Sequence, residues 1–214
     1  DKVMTFPLRS LVEAATKAPI VPVLVVDRIE VAVPLARALV DGGLTIAEVT
    51  LRTPSGLAVI EEMKSAEPGL KVGAGTVLTE TDVENALAAG ADFLVAPGMS
   101  PKLLAGLGGH RRLMIPGVAT ASEAMARHED GFDLLKLFPA SIAGGVGALK
   151  ALGAPLPHLR FMPTGGITEA DVGKYLALPN VFAAGGSWIA TGADIAAEDW
   201  KGISAKARKA LAAI

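Results

Sequence analysis

Residues 134–141 read LLKLFPAS, an apolar run of strand length with Lys136 in its middle. A second run, IAEVTLR (46–52), carries Glu48 and Arg52. Side chains alternate along a strand. Leu134, Lys136 and Phe138 therefore share one face, as do Glu48, Thr50 and Arg52. Two strands would thus direct a lysine, a carboxylate and an arginine into one interior. Such a set can be a structural ion cluster. It can also be a reactive site, because burial and a neighbouring cation both favour the neutral form of an amine. A neutral amine on a rigid strand is a nucleophile for a ketone.

Two glycine pairs supply a second feature. TGG (164–166) and GGS (185–187) follow late strand candidates, where backbone N–H groups often hold a phosphate. Gly165, Gly166, Gly186 and the Ser187 hydroxyl are the candidate donors. The alternative is that these glycines serve only tight turns. Phosphate binding by two adjacent strand ends is the stronger reading and implies a phosphorylated substrate.

The elements that must position these residues recur about every 20–25 positions. Strand candidates are 20–26, 46–52, 71–77, 92–98, 112–118, 134–140, 159–165 and 181–187, each rich in apolar or β-branched residues. Helical patterns lie between them. Asp27/Glu30, Thr79/Asp82, Thr120/Glu123 and Thr168/Asp171 have the spacing of capping boxes. Gly42-Gly43, Gly90, Gly131 and Pro179-Asn180 mark helix exits. Pro34 predicts a kink in the first crossover helix. Eight β-then-α units without a linker predict one domain over 1–214, a single (β/α)8 TIM barrel with a short N-terminal helix. A doubly wound open sheet would want a glycine loop after the first strand, where the chain instead reads VVDRIE. In a barrel the active site lies at the C-terminal strand ends. That rule adds Thr76, Pro97 and Thr164 to the candidates.

The totals narrow the function classes. The chain has 214 residues, with 20 Lys and Arg against 22 Asp and Glu. Near balance leaves no basic footprint for nucleic acid. There is no cysteine, which excludes disulfide and thiol chemistry and fits a cytoplasmic protein. Mean hydropathy is high, at +0.46, yet the longest charge-free stretch, 175–193, is broken by Pro179, Asn180 and Gly185-Gly186. No membrane span is expected. The opening residues DKVMTFPLRS lack the apolar core of a signal peptide. Part of the excess apolarity is available for a subunit interface.

Other signals are weak. GAGTVL (73–78) lacks the third glycine of a dinucleotide loop and reads as a strand with a close backbone contact. His110, His128 and His158 have no metal-ligand spacing. His110-Arg111-Arg112 falls on the non-catalytic end of the barrel and should be solvated. Trp188 and Trp200 read as packing residues.

EVTLRT (48–53), GAGTVL, APGMS (96–100), IPGVATASE (115–123), LKLFPA (135–140), GGVGALKAL (144–152), RFMPTGGI (160–167) and GGSW (185–188) together resemble the 2-keto-3-deoxy-6-phosphogluconate (KDPG) aldolase family. The match runs in order from about residue 20 to residue 190. The resemblance implies a class I, Schiff-base aldolase on a (β/α)8 barrel, a homotrimer that needs no metal or other cofactor. It implies that Lys136 forms the imine and Glu48 moves protons. Arg52 and Thr76 would hold the substrate carboxylate. Gly165, Gly166, Gly186 and Ser187 would hold the phosphate, with Pro97, Phe138 and Thr164 lining the pocket. The partners implied are a phosphorylated keto acid and pyruvate, with cleavage of 4-hydroxy-2-oxoglutarate as a second activity. Three positions depart from the pattern: Ala96 stands where Ser is expected, Ser141 where Glu is common, and Met162 where Cys is frequent. Three alternatives stay open. One is an aldolase for the galactonate epimer. Another is a phosphate-binding isomerase or epimerase that uses Glu48 as base without an imine. The last is an engineered barrel used as an oligomer scaffold.

Overall fold

The computed structural model describes residues 6–214. Helix α1 (Phe6–Lys17) precedes strand β1 (Ile20–Leu24), and a 3-10 turn (Ile29–Val31) leads into α2 (Ala32–Asp41). There follow β2 (Ile46–Thr50), α3 (Gly56–Ala66), β3 (Lys71–Gly75), α4 (Glu80–Ala88), β4 (Phe93–Ala96) and α5 (Pro101–Leu107). A second 3-10 segment (Gly108–Leu113) leads to β5 (Met114–Val118), α6 (Ala121–Glu129), β6 (Leu134–Leu137) and α7 (Gly145–Gly153). The chain ends with β7 (Arg160–Pro163), α8 (Val172–Leu176), β8 (Ala184–Gly186), α9 (Gly192–Ala196) and α10 (Trp200–Ala212).

Neighbouring strands are parallel in the order β7-β6-β5-β4-β3-β2-β1-β8. Single bridges, Phe161 to Val181 and Thr164 to Gly185, join the two ends. The expected (β/α)8 barrel is therefore present. Between those bridges β7 advances three residues and the β8 side four. The extra residue lets both Phe182 and Ala183 face the interior cluster.

Two apolar layers follow from alternation. Leu135 and Leu137 join the layer between strands and outer helices. Leu134 instead packs with Val21, Ile46, Phe93, Ile115 and Met162 inside the barrel. Helix α1 lays Leu8, Leu11, Val12 and Ala15 against that interior cluster, so it plugs the N-terminal end of the barrel. Each large side chain buried there is worth roughly 1.5–3 kcal/mol. Gly73 makes room in the same layer, because a Cβ on it would lie 2.3 Å from the Phe93 ring. The close contact expected in GAGTVL is this one, together with a contact at Gly75 described below.

Local signals were met unevenly. Thr79/Asp82 and Thr120/Glu123 form reciprocal capping boxes at the starts of α4 and α6. Thr191/Asp194, with the same spacing, forms a third at α9. Asp27/Glu30 forms none, since Arg28 occupies the cap position of the 3-10 turn without a side-chain bond. Thr168 donates its N–H and hydroxyl to Asp171, closing a turn, and α8 begins only at Val172. The kink expected at Pro34 is not needed. Proline is the third residue of α2, in the first turn, where its missing N–H has no intrahelical role.

Candidate active site

The strands are shorter than the apolar runs suggest. β2 stops at Thr50, β3 at Gly75, β4 at Ala96 and β6 at Leu137. Arg52, Thr76, Pro97 and Phe138 consequently sit in the turns just beyond, at the C-terminal rim. Glu48 and Lys136 lie deeper, on the strands themselves, and are 1% and 4% exposed.

Lys136 is level with Gly117 on β5 and Met162 on β7. Its Nζ lies 3.8 Å from Glu48 Oε1 and 4.7 Å from the centroid of the Phe138 ring. The ammonium or amine thus has one carboxylate and one aromatic face beside it in an apolar wall. Among the described residues Glu48 Oε2 is buried without a hydrogen-bond partner, and so is the Thr164 hydroxyl beyond β7. A buried polar atom left unpaired costs about 1–3 kcal/mol. Two such atoms at one barrel mouth mark groups built to meet something other than the protein.

Glycines on neighbouring strands create the space. A Cβ on Gly75 would fall 2.1 Å from Glu48 Oε1, so the carboxylate leans across bare backbone. A Cβ on Gly117 would fall 2.1 Å from the Pro97 carbonyl oxygen, so the loop after β4 bends in over the strand beside Lys136. Sequence reasoning did not single out Gly75 or Gly117 as spacers. The available signal was their parity, since both fall on inward-facing strand positions.

Arg52 differs from the expectation of a buried three-charge cluster. It is exposed, and among the described residues no carboxylate pairs with it. Its Nε donates to Thr76 Oγ1 at 3.1 Å. Thr76 has φ 58°, a left-handed conformation rare for a β-branched residue. Such strain costs on the order of 1–3 kcal/mol and concentrates at functional sites. Arg52 is thus an exposed guanidinium tied to the rim through Nε, a group whose planar fork suits a carboxylate.

Both glycine pairs have structural duties. Gly165 and Gly166 are left-handed, at φ 98° and 74°. Ala140 N donates to Thr164 O at 2.8 Å and Ser141 N to Gly165 O at 3.1 Å, which ties their turn to the one after β6. Gly185 and Gly186 are buried beneath Thr164 and Trp188, whose side chains occupy the place of a Cβ. Ser187 is exposed at the rim. The turn reading and the phosphate reading are therefore compatible.

The departures fall in different places. Ala96 and Met162 are buried, whereas Ser141 is exposed beside Gly166. His110, Arg111 and Arg112 are exposed as expected, with Arg111 also donating to Asp130 O at 3.3 Å. His128 and His158 are closer than their spacing suggests. Their ring centroids are 4.1 Å apart, and His128 Nδ1 lies 2.9 Å from Asp133 Oδ1, next to the N-terminal ends of β6 and β7 and away from Lys136. Trp188 and Trp200 pack against the outer core as expected, although Trp188 Nε1 is buried with no partner among the described residues.

Comparison with known proteins adds an independent line. The family model "KDPG and KHG aldolase" matches residues 11–206. A 2-dehydro-3-deoxy-phosphogluconate aldolase of Pseudoalteromonas atlantica is 43% identical, over 92% of each chain. The KHG/KDPG aldolase of Escherichia coli K12 is 42% identical over the same share of each. A crystal structure of KDPG aldolase from Legionella pneumophila, with pyruvate captured as a covalent carbinolamine intermediate, superposes with a TM-score of 0.90 at 40% identity. That match covers 97% of this chain and 98% of the other. On this evidence the chain belongs to the KDPG and KHG aldolase family.

Proposed function

We propose that this protein, acting as one barrel domain, cleaves 2-keto-3-deoxy-6-phosphogluconate to pyruvate and D-glyceraldehyde 3-phosphate. The Lys136 amine adds to the C2 ketone, and loss of water from the carbinolamine gives a protonated imine. Removal of the C4 hydroxyl proton then breaks the C3–C4 bond. Its electrons flow into the imine as an enamine, and the aldehyde departs. Protonation at C3 and hydrolysis release pyruvate and restore the lysine. Glu48, through water, carries the protons of dehydration, cleavage and enamine protonation. Arg52 and Thr76 receive the substrate carboxylate. Gly165, Gly166, Gly186 and Ser187 receive the phosphate, and Pro97, Phe138 and Thr164 line the pocket.

The observation that carries this reading is the Lys136–Glu48 pair, 3.8 Å apart and almost fully buried at the catalytic end of the barrel. The partnerless Glu48 Oε2 supports it further. The same amine would cleave 4-hydroxy-2-oxoglutarate to pyruvate and glyoxylate, since the reacting carbons are identical. Coupling pyruvate release to NADH oxidation tests the proposal on the gluconate substrate, its C4 epimer from galactonate, and 4-hydroxy-2-oxoglutarate. Fastest turnover on the gluconate compound is expected. Preference for the epimer would reassign the substrate, and no pyruvate from any of the three would refute the reading.

A homotrimer in the cytoplasm is part of the same proposal. Val25, Ile29, Leu78 and Ile142 are large apolar residues exposed on segments that follow strands, around the catalytic end. The absence of cysteine fits a reducing compartment. Near-neutral charge fits a small-molecule enzyme rather than a nucleic-acid or membrane binder. A light-scattering mass three times the 21.8 kDa chain is the expected result, and a monomer mass would refute it.

A further inference from the structure

We infer that Ser141 is a further phosphate-binding residue, a hydroxyl donor facing the two left-handed glycines from the opposite loop. The inference rests on the phosphate reading proposed above and assigns it a residue outside the glycine pairs. A Cβ built on Gly166 would fall 2.0 Å from Ser141 Oγ and 2.8 Å from Ser141 Cβ. The serine hydroxyl thus occupies the position that any other residue at 166 would fill with its own side chain. Gly166 is required there twice over, by its φ of 74° and by this contact.

The hydroxyl is held in place without being used up. Ser141 N donates to Gly165 O, and Ala140 N to Thr164 O, so two backbone rungs fix the turn after β6 against the turn after β7. Ala143 N donates to Pro139 O and Gly145 N to Ala140 O, which closes the same turn on itself. Among the described residues Ser141 Oγ has no hydrogen-bond partner, and both Ser141 and Gly166 are exposed at the rim. A hydroxyl rotates freely to donate, and an acceptor-rich dianion resting on the Gly165–Gly166 backbone would meet it directly.

The test compares Ser141→Ala and Ser187→Ala on the phosphorylated keto acid and on 4-hydroxy-2-oxoglutarate, which has no phosphate. Ser141→Ala should raise KM for the phosphorylated substrate about two- to tenfold, as expected for one lost hydrogen bond. Its kcat, and both constants for 4-hydroxy-2-oxoglutarate, should stay unchanged. Ser141→Ala should also weaken competition by inorganic phosphate. If Ser187→Ala raises KM selectively while Ser141→Ala does not, the phosphate site stands and Ser141 is outside it. If neither serine variant discriminates between the two substrates, the phosphate reading itself fails and the inference goes with it.

Discussion

Gly75→Ala should disable the enzyme through one methyl group placed behind Glu48, the carboxylate proposed to move protons. Gly75 ends β3, level with Thr50 on β2. A Cβ there would lie 2.1 Å from Glu48 Oε1, 2.8 Å from Cδ and 2.9 Å from Cγ. Ordinary contact begins near 3.4 Å, so the carboxylate must retreat by more than an ångström. Its partner, Lys136 Nζ, is only 3.8 Å away. A displacement of that size costs on the order of 10²-fold in rate, or about 2.7 kcal/mol of barrier. The backbone does not object, because Gly75 is outside the left-handed region. Alanine would also reduce unfolded-state freedom by about 0.4–1 kcal/mol, against about 1–3 kcal/mol for the overpacking. The folded protein should therefore survive with a modestly lower Tm. The assay is kcat by coupled pyruvate release, alongside a thermal melt. Gly73→Ala is the contrast, since its Cβ would strike the Phe93 ring at 2.3 Å; it should lower Tm with a much smaller loss of kcat. A Gly75→Ala enzyme within about threefold of wild-type kcat would refute the reasoning from close approach.

Two more perturbations separate stability from function. Thr76→Gly should raise Tm by removing left-handed strain of about 1–3 kcal/mol. It should also raise KM for the keto acid, because Arg52 Nε loses its acceptor. Thr76→Ser should keep KM near wild type, and equal KM values for the two variants would dismiss the Thr76–Arg52 contact. Asp194 gives a pH-dependent case. Burial would raise its carboxyl, but the Lys206 ammonium and the Thr191 amide and hydroxyl together hold it below its ordinary 3.8. Its ionised form therefore adds stability at neutral pH, and that contribution is lost as pH falls below 3.8 through the lower folded value. The Tm deficit of Asp194→Asn should be largest near pH 7 and shrink in acid, whereas a pH-independent deficit would contradict the sign.

The sequence made the strand faces readable because period-two alternation is local. Leu134 and Lys136 do turn inward, and Leu135 and Leu137 do meet the helices. Two capping boxes were legible for the same reason, each resting on four consecutive residues. What failed to show depends on closure. The barrel ends β2 at Thr50, which moves Arg52 off the strand and out to solvent. Gly75 and Gly117 gain their meaning only from side chains and loops delivered by other strands. The plugging role of α1 depends on eight strand ends meeting beneath it. Asp27/Glu30 had the spacing of a box, yet the segment entering α2 takes a tighter 3-10 turn that leaves no side-chain cap.

The central claim is that the Lys136 amine becomes covalently bonded to the substrate ketone. Incubation with pyruvate and borohydride, followed by peptide mass analysis, tests it directly. The expected result is one reduced pyruvate adduct on the peptide carrying Lys136, absent from a folded Lys136→Met variant that has lost turnover. An adduct on another lysine, or full cleavage activity in Lys136→Met, would contradict the account.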